Sequence, residues 1–166
     1  MRSRVPTVTI RPATVADADY LAPLLREADV AEIDASSGTD AHTSLLLGIE
    51  VSEWCLAGAV DGEVVVLFGV SPFTPEGATT QVGVPWLLAS DKLFDAGPRV
   101  FCKVAKQYLE VMHDSFPHLV NVVSCTNTVH IQWLSWLGFQ FTALHPKYGK
   151  TRLPAIQFER TRLCAP

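Results

Sequence analysis

Two β-rich runs, Trp54 to Val60 and Glu63 to Val70, are joined by Asp61-Gly62, and no other feature restricts the fold of this chain as strongly. Asp-Gly accepts the two positive φ angles of a type I′ turn, whose twist matches that of paired strands, so the segment predicts a β-hairpin. The pattern around it alternates. Val8 to Arg11 reads as a short strand ended by Pro12. Thr14, with Asp17 three residues on, opens a helix in which Ala18, Leu21, Leu24, Leu25 and Ala28 recur at helical spacing to about Ala35. Ser36, Ser37 and Gly38 break it, and Asp40 caps a second helix with Leu45, Leu46 and Ile49 on one face.

Beyond the hairpin, Gln81 to Ala89 is a strand in which Pro85, having no N–H, has to sit at an edge or bulge. Pro98 suits the first turn of a long helix whose Val100, Phe101, Val104, Ala105, Tyr108, Leu109 and Met112 form one stripe. Leu119 to Cys125 is an apolar strand, Asn127 caps a further helix, and Gly138 ends it in the left-handed conformation. Phe139 to Leu144 and Ala155 to Arg160 supply two last strands around a loop from His145 to Pro154. The order β α α β β β α β α β β predicts one α/β domain over residues 1–166, a mixed sheet with helices on both faces.

With 48% apolar and 18% charged residues, the composition is that of a chain that buries a core. A formal charge of −4 argues against a general nucleic-acid or anionic-membrane surface, leaving small molecules or proteins as expected partners. Cys55, Cys102, Cys125 and Cys164 are widely spaced, and Arg2 and Arg4 are followed by Pro6, Thr7, Thr9 and Arg11 where a secretory leader needs an apolar stretch. Reduced thiols and a cytosolic location, or enclosure in a particle assembled in a cytosol, are expected.

The segment NTVHIQWLSWLGFQF, Asn127 to Phe141, resembles the stretch of GNAT acetyl-CoA-dependent N-acyltransferases in which an Asn caps a helix and an L-G-F triplet, here Leu137, Gly138 and Phe139, closes it. With T-I-R-P-A-T, Thr9 to Thr14, and the Asp-Gly hairpin, the resemblance covers nearly the whole chain and implies a GNAT-like fold. Gly83 to Leu93, GVPWLLASDKL, followed by the long helix and WLSWLGF, is similar to the small internal virion or core proteins of short-tailed phages, which are GNAT-like in fold and work in particle morphogenesis.

The GNAT resemblance implies a CoA or acetyl-CoA site lined by Leu88, Ala89, Ser90, Lys92, Gly97, Arg99 and Asn127. The loop from Ser90 to Arg99 departs from the family's Q/R-x-x-G-x-G/A pattern. Only Gly97 permits close backbone approach, Pro98 removes an amide donor, and Asp91 and Asp95 oppose a diphosphate, with Lys92, Arg99 and Lys103 as partial compensation. Leu134 stands where the family keeps its proton-donating Tyr, and leucine donates nothing. Tyr148, in the loop expected to fold over the cleft, and His130 are the candidate catalytic groups; a packed Tyr and a packed or surface His are the simpler readings. Glu53, Glu63 and Asp91 qualify as bases by neighbourhood alone.

The five histidines lack metal-ligand spacing, so no metal is expected, and no G-x-S-x-G elbow is present. Trp133 and Trp136, three apart on a short apolar helix, are candidates for a protein interface as well as for core. Two functions follow from these readings: a GNAT-fold internal virion protein with a degenerate acetyl-CoA site, binding other virion proteins or itself, or an active N-acetyltransferase of a primary amine.

Overall fold

A computed structural model describes residues 5–162; Arg2, Arg4 and Cys164 lie outside them. The strands are β1 (Val8–Pro12), β2 (Trp54–Val60), β3 (Glu63–Phe73), β4 (Val82–Ala89), β5 (His118–Ser124), β6 (Gln140–Tyr148) and β7 (Leu153–Thr161). The helices are α1 (Val15–Leu21), α2 (Glu27–Ser36), α3 (Ala41–Val51), α4 (Pro98–Ser115) and α5 (Thr128–Trp136). The strands form one sheet in the order β1-β2-β3-β4-β5-β7-β6, in which the β4–β5 pair alone is parallel.

The hairpin forms between β2 and β3 with positive φ at both Asp61 (50°) and Gly62 (89°), the geometry its sequence demands. One residue of bulge between Gly58 and Ala59 changes which face β3 serves. Val64 and Leu67 enter a core with Ala18, Leu21 and Leu45 of α1 and α3. Val66, Phe68 and Val70 enter a second core with Leu109, Met112, Leu134 and Leu137 of α4 and α5. The sheet therefore separates two apolar layers, and the helices cover both faces.

Local signals account for several helix ends. The Thr14 N–H donates to Asp17 Oδ2 (2.8 Å), and Arg11 grips the same carboxylate with two bonds of 2.7 Å. Asp40 Oδ1 accepts from Thr43 N (2.9 Å) at the start of α3. Asn127 Oδ1 accepts from His130 N (3.2 Å), and Gly138 takes φ 86°.

Two expectations are corrected. The first helix does not run unbroken to Ala35: Pro23 cannot supply a helical N–H, and the chain tightens into a 3₁₀ turn over Ala22–Leu24 before α2 begins. At the break Leu25 bridges to Ser90, and Arg26 N donates to Ala89 O (2.9 Å). The loop expected from His145 to Pro154 is a four-residue turn, because β6 continues to Tyr148 and β7 starts at Leu153. The turn is anchored on the end of α2, where Lys150 N donates to the carbonyls of Ala35 (2.9 Å) and Ser36 (3.2 Å). Gly149 makes this approach with φ 61°; a Cβ there would lie 2.1 Å from Ala35 O.

His113, 2% exposed near the end of α4, points Nδ1 at Pro117 O (3.2 Å) and has no partner for Nε2 among the described residues. Burial first, then the nearby Arg160, holds its pKa below the ordinary 6.5, and burial does the same for His130. An unfolded His binds a proton below about pH 6.5 that these two refuse in the fold, so their contribution is complete above that pH and is lost as pH falls toward their folded values. Urea unfolding followed from about pH 7 down to about pH 5 is expected to give falling stability, with a shallower slope in His113→Gln.

Candidate functional site

The site is where β4 and β5 part. They are bridged at Gly83 and Leu119 and nowhere further along, although both run on for several residues. Ser90 N donates to Val65 O on β3, so the alternate positions Ala89, Leu87, Pro85 and Gly83 turn their backbone groups toward β5. Pro85 fits here because its missing N–H would have faced the gap, which meets the edge requirement within an interior strand.

The chain's own side chains occupy most of the polar groups that the gap exposes. Asn121 crosses it, its Nδ2 donating to Pro85 O (2.8 Å) while its Oδ1 accepts from Val122 N (2.7 Å). Glu32, reaching in from α2, accepts from Ser124 N (3.1 Å) and Asn127 Nδ2 (3.1 Å). Asp29, 3% exposed, accepts from Ala89 N (2.8 Å) and is held by Arg26 Nη2 at 2.8 Å. Leu87, on the same β4 edge, has no ladder partner on β5 and no side chain bonded to its backbone among the described residues.

Through the gap runs a cavity of about 380 Å³, reaching from Trp86, Leu88 and Gly48 on one face to Leu87, Phe101 and Trp133 on the other. Asp29 and Glu32 are the carboxylates in its wall, and no Lys or Arg lines it. Burial raises the Glu32 pKa, and the bonds from Asn127 and Ser124 pull it back. Trp86 packs its ring on Gly48, where a Cβ would meet it at 2.7 Å, and donates its indole N–H to Ser52 Oγ (2.8 Å). It therefore lies on the α3 side and leaves the gap open. Between α4 and α5 the rings of Phe101 and Trp133 meet at 5.3 Å, with Phe94 and His130 extending the stack at either end.

The residues named from sequence are spread around this gap. Leu88 and Ala89 end β4, and Asn127 starts α5. Ser90 N is committed to Val65 O, Leu93 N to Ser90 O and Gly97 N to Phe94 O. Residues Asp91–Ala96 form a 3₁₀ helix, which uses its own amides internally. At the start of α4, Pro98 has no N–H and both Val100 and Phe101 donate to Gly97 O (3.2 Å each). Arg99 is exposed, and Lys92 is ion-paired with Glu63. His130 and Tyr148 line the cavity; Tyr148 does so from the end of β6, not from a mobile loop. Leu134 is 3% exposed in the core, and Cys55, its thiol pushed up to about 12 by burial, is unreactive.

Sequence reading missed Arg26, Asp29, Glu32 and Asn121. Their partners lie 60 residues away for Asp29 and 92 for Glu32, and no local pattern announces them. Trp133 and Trp136 differ: Trp133 packs inward with its Nε1 buried and unpartnered among the described residues, whereas Trp136 is 48% exposed. Among the described residues no group of three or more His, Cys, Asp or Glu could hold a metal ion, and no helix is long and apolar enough to cross a membrane.

The pairing of part-buried Arg26 with buried Asp29 yields a direct prediction. Asp29→Ala leaves a guanidinium and the Ala89 N–H without their acceptor, and urea unfolding should register a loss of about 3–5 kcal/mol. Joint replacement, Arg26→Met with Asp29→Leu, should recover much of that loss, since neither charge is then stranded.

Solved structures with this architecture include acetyltransferases. The GNAT-family acetyltransferase from Streptococcus pneumoniae superposes with TM-score 0.64 at 12% identity, over 93% of this chain and 99% of that one. Ard1 from Thermoplasma volcanium gives 0.69 at 21% identity, over 95% and 99%. The yncA protein from Salmonella typhimurium, solved with its cofactor acetyl-CoA, gives 0.69 at 15% identity, over 96% and 98%. At these identities the likeness is one of fold, and the fold is GNAT-like. Among curated protein sequences none matches. Residues 64–146, half of the chain, from the hairpin through the parted strands into β6, match the family model described as "Bacteriophage T7, probable scaffold protein Gp13", and the chain belongs to that family.

Proposed function

We propose that this chain is an internal or assembly protein of a phage particle that keeps the acyltransferase fold without acetyl-CoA chemistry, and that it acts by binding other virion proteins or itself. Membership of a phage scaffold family supports the setting. The observation that carries the loss of chemistry is Asn121, which occupies with one side chain a carbonyl of β4 and an amide of β5 at the mouth of the split.

The residues present do not fit CoA. A diphosphate needs several free N–H groups converging at a helix N-terminus, and in the first turn of α4 only Arg99 retains one uncommitted. The neighbouring Lys92 is engaged by Glu63, and the cavity wall carries carboxylates without a cation. Phe101 and Trp133 meet between α4 and α5, placing two packed rings where the cavity reaches those helices. Leu88, Ala89, Ser90, Gly97 and Asn127 are, on this reading, structural remnants of a cofactor site, and Tyr148 and His130 are packed rings.

A second reading, an active N-acetyltransferase, draws on the cavity itself and on the open N–H and C=O of Leu87 within it. Ligand linkage separates the two. Acetyl-CoA at one hundred times its dissociation constant would stabilise the fold by about 2.7 kcal/mol. Thermal unfolding with millimolar acetyl-CoA is expected to match that of the free protein. A rise in midpoint together with acetyl transfer to a primary amine would establish the enzyme.

A further inference from the structure

One surface combines unpaired positive charge with exposed apolar side chains. Arg99, Lys103 and Lys106 follow one another at i, i+4 and i+7 on the outer side of α4, all exposed. Arg99 and Lys103 make no ion pair among the described residues, and the recorded contact of Lys106 is with an aromatic ring, its Nζ 4.2 Å from the centroid of Trp136. The acid next along the stripe, Glu110, is engaged by Arg160 and Arg162. On α5, Val129 is 72% exposed and Trp136 48%, seven positions apart and so on one side of the helix. The Lys106–Trp136 contact lays the two stripes side by side.

We propose that this α4–α5 surface docks an acidic polypeptide segment carrying a large apolar residue, the cations pairing with its carboxylates and Trp136 with Val129 receiving the apolar side chain. The proposal deepens the assembly reading and rests on it, since it names the partner such a protein would hold. In a chain of net charge −4, three neighbouring cations left without acids are a local reversal of sign, which steers an acidic segment and repels a basic one. Exposed tryptophan beside apolar surface is the side-chain type that anchors interfaces. A single-stranded nucleic acid would instead need open ring faces for stacking. Here Lys106 lies over one face of Trp136 and Val129 offers no ring, so the surface has no run of rings for successive bases while leaving exposed apolar area for one side chain, and the observations favour protein.

The test uses fluorescence anisotropy of a dye-labelled synthetic peptide of Glu, Asp and Ala bearing one Leu and one Phe, with a Gln/Asn version as the uncharged control and a single-stranded oligonucleotide as the third probe. The acidic peptide is expected to bind at least about tenfold more tightly than its control, less so at high salt. Lys103→Glu with Lys106→Glu, and separately Trp136→Ala, should each weaken it about tenfold or more, and thermal unfolding of the charge-reversed variant should stay near that of the parent, since both lysines are exposed. A Lys/Arg version of the peptide should bind the charge-reversed variant and not the parent. Equal binding of acidic and uncharged peptides, no effect of either variant, or tighter binding of the oligonucleotide through the same residues overturns the proposal. A flat peptide titration beside a flat acetyl-CoA titration removes the surface and leaves the assembly reading standing; acetyl-CoA binding removes that reading.

Discussion

The structure depends on how it copes with a sheet whose middle is parted. Between β4 and β5 the ladder stops after Gly83 and Leu119, and backbone donors and acceptors that would pair in a closed sheet face a largely apolar space. An unpaired buried backbone group costs roughly 1–3 kcal/mol, so an open split with nothing in it is a poor solution unless something supplies the missing bonds. Here that role falls to Asn121, Glu32 and Asp29, which between them take the Pro85 carbonyl and the amides of Val122, Ser124 and Ala89. Asp29 and Glu32 come from α2, so their bonds also fasten that helix to β4 and β5, while Asn121 bridges the two strands directly.

On the assembly reading proposed above, this arrangement lets a shared fold serve a different end. A split that receives a ligand has to leave its polar groups available until the ligand arrives. One whose groups are bonded internally gains a permanent scaffold and gives up that capacity. On the same reading, the amide-poor start of α4 offers a diphosphate few donors. The GNAT-like architecture itself has a mechanical basis: a bulged hairpin feeding two cores, and helices covering both faces of one sheet.

What the sequence made legible was local. Asp61-Gly62 fixed the hairpin because two positive φ angles are costly for most residue pairs. Asn127 and Gly138 bounded α5 because a cap and a left-handed stop act within a few residues. The missing N–H at the start of α4 was readable too, since Pro98 lacks it wherever it sits. The rest was decided at a distance. Asp29 and Glu32 look like ordinary exposed acids on a helix with little apolar face, and their burial depends on a partner strand 60 and 92 residues further on. Asn121 sits in an apolar strand where a polar residue is easily passed over; its meaning appears only when Pro85 stands opposite. Pro23 and the extension of β6 to Tyr148 were missed for a related reason: apolar spacing carried the helix reading through a proline, and the last strands were ended where their alternation weakened.

The measurement that bears most directly on this account is residue-resolved amide hydrogen exchange of the free protein. If side chains complete the parted sheet, the amides of Ala89, Val122 and Ser124 exchange slowly, like those of paired strands, and Leu87 on the same edge exchanges much faster. Free exchange at those three amides, or protection at Leu87 matching its neighbours, would contradict the claim that the split is satisfied from within.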